Sequence, residues 1–353
     1  MSVQGFALTP ARLNKFKGEI LKHAVPMEVL SKGGRQVPMP KNNSDTYVAR
    51  RWLPYGSTAA NPNVFFQNAT GDRGNVLAQA HLVQEGVTPL PESIVPQDVT
   101  VVLQQYTCLY GFTDKTYDLY EDDIPKAMIE QIGDRVTLVN EMIIYGALRG
   151  CTNQFYGGTG TARSNVNGAL TLGMIRKITK SLQANHGKPV TSVLAAAAKY
   201  ETSAVAQGYL VYCHTDLEPD IRDLPGFVPA EKYASGTPME NEIGKCERFR
   251  FITSPDLPSY QDAGAAIGAL NLYSTTGTLI DVYPFIVTAA DAWSQIAVRG
   301  LNALAPTFLP PGQKSKSDPF GQRGYAGSIW WKAVMLENPL WMAIGNVGIR
   351  NLV

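Results

Sequence analysis

Charge, cysteine, histidine and long apolar runs are all scarce in this sequence. Charged side chains make up 17% of its 353 residues, below the roughly 25% of an ordinary soluble domain. The two signs nearly cancel, with 31 Lys and Arg against 30 Asp and Glu. A near-neutral chain has no electrostatic hold on a polyanion, so a dedicated nucleic-acid binder is not expected. No stretch approaches the roughly 18 to 20 consecutive apolar residues of a membrane-spanning helix, and the first thirty positions lack the apolar segment of a secretory signal. The chain is expected to be soluble, neither exported nor anchored. Its four cysteines, Cys108, Cys151, Cys213 and Cys246, form no C-x-x-C pair, which suits reduced thiols in a cytoplasm. Its four histidines, at 23, 81, 186 and 214, show neither H-x-H nor H-x-x-x-H spacing, so the usual histidine metal sites are not expected.

Glycine and proline are plentiful, 32 and 23 residues, and describe a loop-rich chain. Together with the low charge they point to a surface largely hidden against subunit contacts. The first fifty residues are polar, broken by Pro10, Pro26, Pro38 and Pro40, and read as an arm. Nine basic residues up to position 51, among them Arg12, Lys15, Lys17, Arg50 and Arg51, face only Glu19, Glu28 and Asp45. A counterpart lies between Asp114 and Asp134, where seven acids, including Glu121, Asp122 and Asp123, face only Lys115 and Lys126. Two unrelated solvated charge runs explain this as well as a pairing does.

From Trp52 to Phe112 turn-rich pieces and the run VTVVLQQYTCLYGF read as a long two-stranded excursion ending in a strand. Then Asp122 or Asp123 as N-cap, Pro125 in the first turn, and apolar residues at 124, 128, 132, 136, 139, 143 and 147 predict a helix of about 26 residues, about 39 Å long. A glycine-rich connector follows, then helices from about Leu172 to Ala184 and from Val193 to Ala206, and a strand from Leu210 to His214. Further strands are expected at Phe249–Thr253 and Thr278–Thr288, a helix from about Ala290 to Val298, and a linker from Pro306 to Pro319. SIWWKAVML and LWMAIGNVGI, around Glu337-Asn338-Pro339, read as a β-hairpin covered on both faces.

No segment makes a persuasive reactive centre. Gly157 to Thr161 lacks the lysine ending of a P-loop and the G-x-G-x-x-G register, and it follows a helix, so it reads as a connector. His214 beside Cys213 and Asp216 reads as a strand end rather than a metal site. The run Asp216, Glu218, Asp220, Arg222, Asp223 reads as a solvated turn or an arginine-centred contact rather than an acid–base pair. No G-x-S-x-G elbow occurs. Trp330, Trp331 and Trp341 read as packing or interface anchors.

The ending DPFGQRGYAG, residues 318 to 327, followed by Ile329-Trp330-Trp331-Lys332-Ala333, resembles the C-terminal signature of tailed-bacteriophage major capsid proteins of the N-four-like branch. The stretch from YLVYCHTDLEPDIRDLPGF to FRFITSP is similar to the same branch, as is Val282-Tyr283-Pro284-Phe285; Thr215 stands where that branch more usually has proline after the histidine. The likeness covers roughly residues 208 to 350. It implies an α+β chain of the Hong Kong ninety-seven-type capsid fold. Mapped here, it puts an N-terminal arm at 1–47, an extended loop at 48–115, a peripheral domain with a long spine helix at 116–208 and 317–353, and an axial domain at 209–316.

That resemblance implies a structural protein, not an enzyme, with no cofactor and no metal. It would assemble in the host cytoplasm as hexamers and pentamers into an icosahedral virion shell around double-stranded DNA held by enclosure. Implied partners are further copies of itself, a separate scaffolding protein, a portal and a decoration protein, with no membrane. The expected intersubunit contacts are Arg50, Arg51, Trp52, Glu121, Asp122, Asp123, Asp216, Asp220, Arg222 and Asp223. Arm and loop are expected to order only in the shell, because neither can bury enough surface alone. An encapsulin-like compartment with enzyme cargo, or a soluble enzyme of unknown class, are the rival readings.

Overall fold

A 26-residue helix, Ile124–Arg149, is the longest element among the described residues. The computed structural model describes residues 25–40, 42, 44–55, 57, 62–63, 81–83, 85–88, 91, 93–119, 124–190, 208–232, 238–268, 270–298, 305–314 and 316–352. The expected N-cap at 122–123 and the expected helix at 193–206 lie outside them. The long helix keeps the predicted apolar face through Met128, Ile132 and Val136, then turns to bury Ile144, Tyr145 and Leu148, leaving Ile143 and Ala147 half-buried. A strict four-residue step overshoots a full turn by about 40°, so the helix changes partner along its length. Its first half packs on Cys108, Phe112, Ala326 and Trp330, and its second half on Leu210, Tyr212, Ile286 and Ile344.

The strands are β1 (Arg35–Met39), β2 (Thr46–Trp52), β3 (Pro96–Val102), β4 (Gln104–Thr113), β5 (Gln154–Tyr156), β6 (Tyr209–His214), β7 (Phe227–Pro229), β8 (Glu242–Cys246), β9 (Phe249–Ser254), β10 (Tyr283–Thr288), β11 (Trp293–Val298), β12 (Ala305–Leu309), β13 (Arg323–Leu336) and β14 (Met342–Val347). Seven of them form one mixed sheet in the order β5-β14-β10-β6-β9-β8-β7, with β5 parallel to β14 and β6 parallel to β9. Every residue of β9, β10 and β14 is buried, as a sheet covered on both faces requires. One cover is the helix Leu172–Ala184, N-capped by Thr171, which sets Met174, Ile175, Ile178 and Leu182 against Val211, Phe251, Phe285 and Val347. The other is the second half of the long helix. Gly345 lets the Phe285 ring lie flat on β14, since a Cβ there would overlap it.

The second sheet is built on β13, whose 14 residues carry β4 along one edge and β12 then β11 along the other. Strand β1 from the arm adds in parallel to β11. Strands β2 and β3 form an antiparallel ribbon, Thr46 opposite Val102 and Trp52 opposite Pro96. The inner side of the ribbon, Tyr47, Ala49, Val99 and Val101, packs on Met39, Leu103, Ile296, Ala333 and Met335 of this sheet.

Several expectations are corrected. Residues 293–298 form a strand, not a helix, because β1 and β13 hydrogen-bond both its edges. The two C-terminal strands are not a hairpin: Glu337 and Asn338 bond through their amides to the Ala292 carbonyl, and the chain then crosses from β13 to β14 in the other sheet. The run from 99 breaks at Leu103, dividing ribbon strand β3 from sheet strand β4, and the supposed linker begins as the edge strand β12. The glycine connector is a tightly packed turn, with Gly158 at φ +75° against the Asn167 side chain, which accepts from Thr159 N at 3.0 Å. The sheets also cut across the mapped domains: β11 and β12 join the sheet of β4 and β13, whereas β5 and β14 join that of β6 and β10.

Candidate interaction surfaces

Arg50, Arg51 and the residues of the run 216–223 already have partners within the chain. Arg50 grips Asp98, directly opposite it on the ribbon, through Nε at 2.7 Å and Nη2 at 2.9 Å, which raises the arginine pKa and lowers that of the carboxyl. The pair is exposed, so its worth to stability is small. Arg51 points inward, donating to Gln97 Oε1 at 2.7 Å and to the Glu337 carbonyl at 3.1 Å; burial lowers its pKa. Trp52, between them and the ribbon's outer end, is 58% exposed. Glu121, Asp122 and Asp123 lie outside the described residues.

The run 216–223 is mainly an anchor for the C-terminal segment. Asp220 is buried and holds the Arg350 guanidinium, while Arg350 N donates to Asp220 Oδ2 at 3.1 Å and Arg350 Nη2 to Asp223 at 2.7 Å. These carboxylates raise the Arg350 pKa. Arg222 takes Glu218, one turn back, at 2.8 Å. Asp216 accepts from the Tyr283 hydroxyl at 3.1 Å and lies 3.2 Å from His214 Nδ1, which itself accepts from the Asp216 amide. Among the described residues Arg50 and Arg51 bond to Asp98, Gln97 and Glu337 and not to this group, so the structure does not bring the predicted residues into one site.

Sequence reasoning missed a buried polar socket that grips the arm. Glu141, 1% exposed on the long helix, accepts from the amides of Leu30 at 3.0 Å and Ser31 at 2.6 Å and from the Ser31 hydroxyl. Gln295 Nε2 on β11 donates to the carbonyls of Ser31 at 3.0 Å and Gly33 at 2.7 Å. Lys332 on β13 is buried, which pulls its pKa down to about 8, opposed by the negative charge of Glu141 and Glu28. Leu30 is completely buried, and β1 follows at once. Residues 29 to 39 are therefore docked on their own subunit through Val29, Leu30, Met39 and strand β1, contrary to the expectation of an arm ordered only by neighbours. Glu141 stands opposite the apolar stripe read from the sequence, so the available signal was the lysine in an apolar strand.

Among the described residues, uncovered large apolar side chains gather on the ribbon and on the second sheet. The outer side of the ribbon shows Val48, Trp52 and Val102. The face of the second sheet that the ribbon covers at Met39, Ile296, Ala333 and Met335 continues exposed through Ile329, Trp331 and Leu109. Trp330, by contrast, turns inward, stacks on Tyr106 and donates to Asn140 Oδ1 at 3.0 Å, and Trp341 donates to the Asn185 carbonyl at 2.8 Å. The four cysteines are free and buried, and burial pushes the thiols of Cys151, Cys213 and Cys246 up. Among the described residues no three His, Cys, Asp or Glu side chains converge as metal ligands, and no helix is long and apolar enough to cross a membrane. A cavity of about 250 Å³ behind Trp293 is lined by Leu210, Tyr212, Ala289 and Ala292, with Arg35 and Asp291 the charged residues of its wall.

No family model matches the chain. It is similar to the major capsid protein of Pseudomonas phage KPP21, 24% identical over 204 residues, which are 54% of this chain and 51% of that protein. This chain thus matches about half the length of that relative. Among solved structures, the capsid of Ralstonia phage GP4 superposes with a TM-score of 0.64 over 100% of both chains at 9% identity. The fold is the Hong Kong ninety-seven-type phage capsid fold. The mature capsid of bacteriophage PhiM1 gives a TM-score of 0.56 at 10% identity, covering 95% of this chain and 91% of that one.

Proposed function

We propose that this chain is the major capsid protein of a tailed phage, of the N-four-like branch, and that many copies tile the icosahedral head around double-stranded DNA. The observation that carries the reading is the sequence relation to a phage major capsid protein in a chain whose whole length follows a capsid fold. The exposed ribbon and bare sheet face supply what a tile needs and a monomer does not. The protein acts structurally, not as an enzyme, and its place is the virion shell. Its partners are its own copies, a scaffolding protein, a portal and a decoration protein, with DNA held by enclosure; the near-neutral charge suits a wall that must not trap DNA during filling.

In this reading the arm proper precedes Val29 and the extended loop runs between the ribbon strands β2 and β3. The peripheral unit is the spine helix with the sheet of β4 and β13, and the axial unit is the seven-stranded sheet. Arg50, Arg51, Trp52 and the acids 121–123 remain candidate intersubunit contacts at the loop root and the start of the spine. Asp216, Asp220, Arg222 and Asp223 would contribute as an already folded corner. Electron microscopy of the expressed protein, alone and with a co-expressed scaffolding protein, tests the reading: rings and closed shells are expected. A monodisperse monomer under both conditions would contradict it.

A further inference from the structure

At the C-terminal end of the spine helix two guanidiniums share one aromatic ring. The Arg149 guanidinium carbon stands 3.8 Å from the centroid of Tyr260 and that of Arg163 stands 3.6 Å from the same centroid. Two groups so near one centroid hold their charges no more than about 7 Å apart. Arg149 Nε also donates to the Tyr260 hydroxyl at 2.6 Å, and Tyr145, one turn back, donates to the Pro258 carbonyl at 2.6 Å, so the cluster is fixed to both helix and loop. Arg50, Arg176, Arg222, Arg250 and Arg350 each hold a carboxylate. Arg149 and Arg163 have none within ion-pair distance among the described residues, and Arg163 Nε has no acceptor. Two like charges are thus held together with no counter-charge, an arrangement that an arriving anion relieves.

The missing counter-charge is present at the other end of the same helix. Between residues 114 and 134 acids outnumber bases seven to two. Asp118 and Glu130 are exposed there, beside the exposed side chains of Tyr117, Leu119, Ile129 and Phe308. Ile129, Glu130 and Phe308, with Pro125 and Lys126, line an open groove of about 410 Å³. Twenty-six residues separate the two ends by about 39 Å, so they cannot meet within one subunit.

We propose that the Arg149–Tyr260–Arg163 cluster of one subunit binds the Asp118 and Glu130 carboxylates of a second copy, a head-to-tail contact between opposite ends of neighbouring spine helices. The inference rests on the shell-subunit reading, in which contacts between two different patches of the same chain close rings. A second copy is the occupant rather than a nucleic-acid phosphate because the matching acids lie on this chain and the formal charge nearly vanishes, at +1.

The test is a charge swap read by shell yield. Arg149→Glu with Arg163→Glu, and separately Asp118→Lys with Glu130→Lys, should each lower the yield at least about tenfold, and all four together should restore it to within about twofold. Unchanged yields, or reversals that the combination does not rescue, overturn the contact. Unchanged yield with less nucleic acid retained per particle would assign the cluster to phosphate and overturn it too. Because the reversals could impair folding, shells carrying Asp118→Cys with Ser164→Cys supply a second readout: Ser164 is exposed and the four native cysteines are buried. Oxidation should give a ladder of disulfide-linked subunits, and monomer alone overturns the proposal. A wild type that never assembles removes the capsid reading and this contact with it, whereas wild-type shells indifferent to the substitutions remove the contact alone.

Discussion

The seven-stranded sheet and the β2–β3 ribbon bury their side chains in opposite ways. In the sheet, β9, β10 and β14 are buried at every position and both faces are covered by helices of the same chain. The ribbon alternates, with Tyr47, Ala49, Val99 and Val101 on the subunit's own core while Val48, Trp52 and Val102 face outward. The first region holds the subunit together; the second is half finished. In the proposed shell subunit, its period of two would divide one strand pair between folding and assembly.

Substitution in the sheet should break that comparison on the stability side. Phe285→Ala removes a ring that is 1% exposed and lies over Gly345. A loss of about 3–5 kcal/mol is expected in urea denaturation of the soluble subunit. A loss below about 1 kcal/mol would show that the sheet is not the stabilising centre.

The arm socket lies between the two regions and is addressed through pH. Lys332 in the folded chain loses its proton at about 8, against an ordinary lysine value of 10.5. Between those values the unfolded chain binds more protons, so this group makes stability rise as pH increases from about 8 to 10.5, with its cost fully present below 8. The rise amounts to at most about 3 kcal/mol. It should vanish in Lys332→Met, measured as denaturation midpoints across that pH range. An identical rise in the variant would assign it to other groups.

The smallest effect on the subunit should come from the ribbon's outer side. Trp52→Ser is expected to change subunit stability by no more than about 0.5 kcal/mol, while lowering the yield of closed shells. Equal shell yield would mean that Trp52 faces solvent in the particle as well.

Local pattern revealed what local forces decide. The spine helix was readable from its four-residue steps and Pro125, and the helix Leu172–Ala184 from its own periodicity. Non-local pairing was not. Ala290, Ala292 and Ala297 favour a helix, yet β11 is a strand because Arg35–Met39 and Trp293–Leu336 pairing fix it from distant parts of the chain. A turn at Glu337-Asn338-Pro339 looks the same whether its flanking strands pair or part into two sheets. The capsid likeness came from a motif, and motifs carry no side-chain partners: the Arg50–Asp98 and Asp220–Arg350 pairs, and the grip of Glu141 on Leu30 and Ser31, needed the folded arrangement.

Hydrogen exchange compared between free subunits and assembled shells tests the division between a finished core and an unfinished surface. Amides of Tyr209–His214, Tyr283–Thr288 and Met342–Val347 should be slow and equal in both states, and Leu30 to Met39 should already be slow in the free subunit through the Glu141 and Gln295 socket. Ribbon amides in Thr46–Trp52 and Pro96–Val102 should slow by at least about tenfold on assembly. A ribbon equally protected in both states, or a seven-stranded sheet protected only in the shell, would contradict the account.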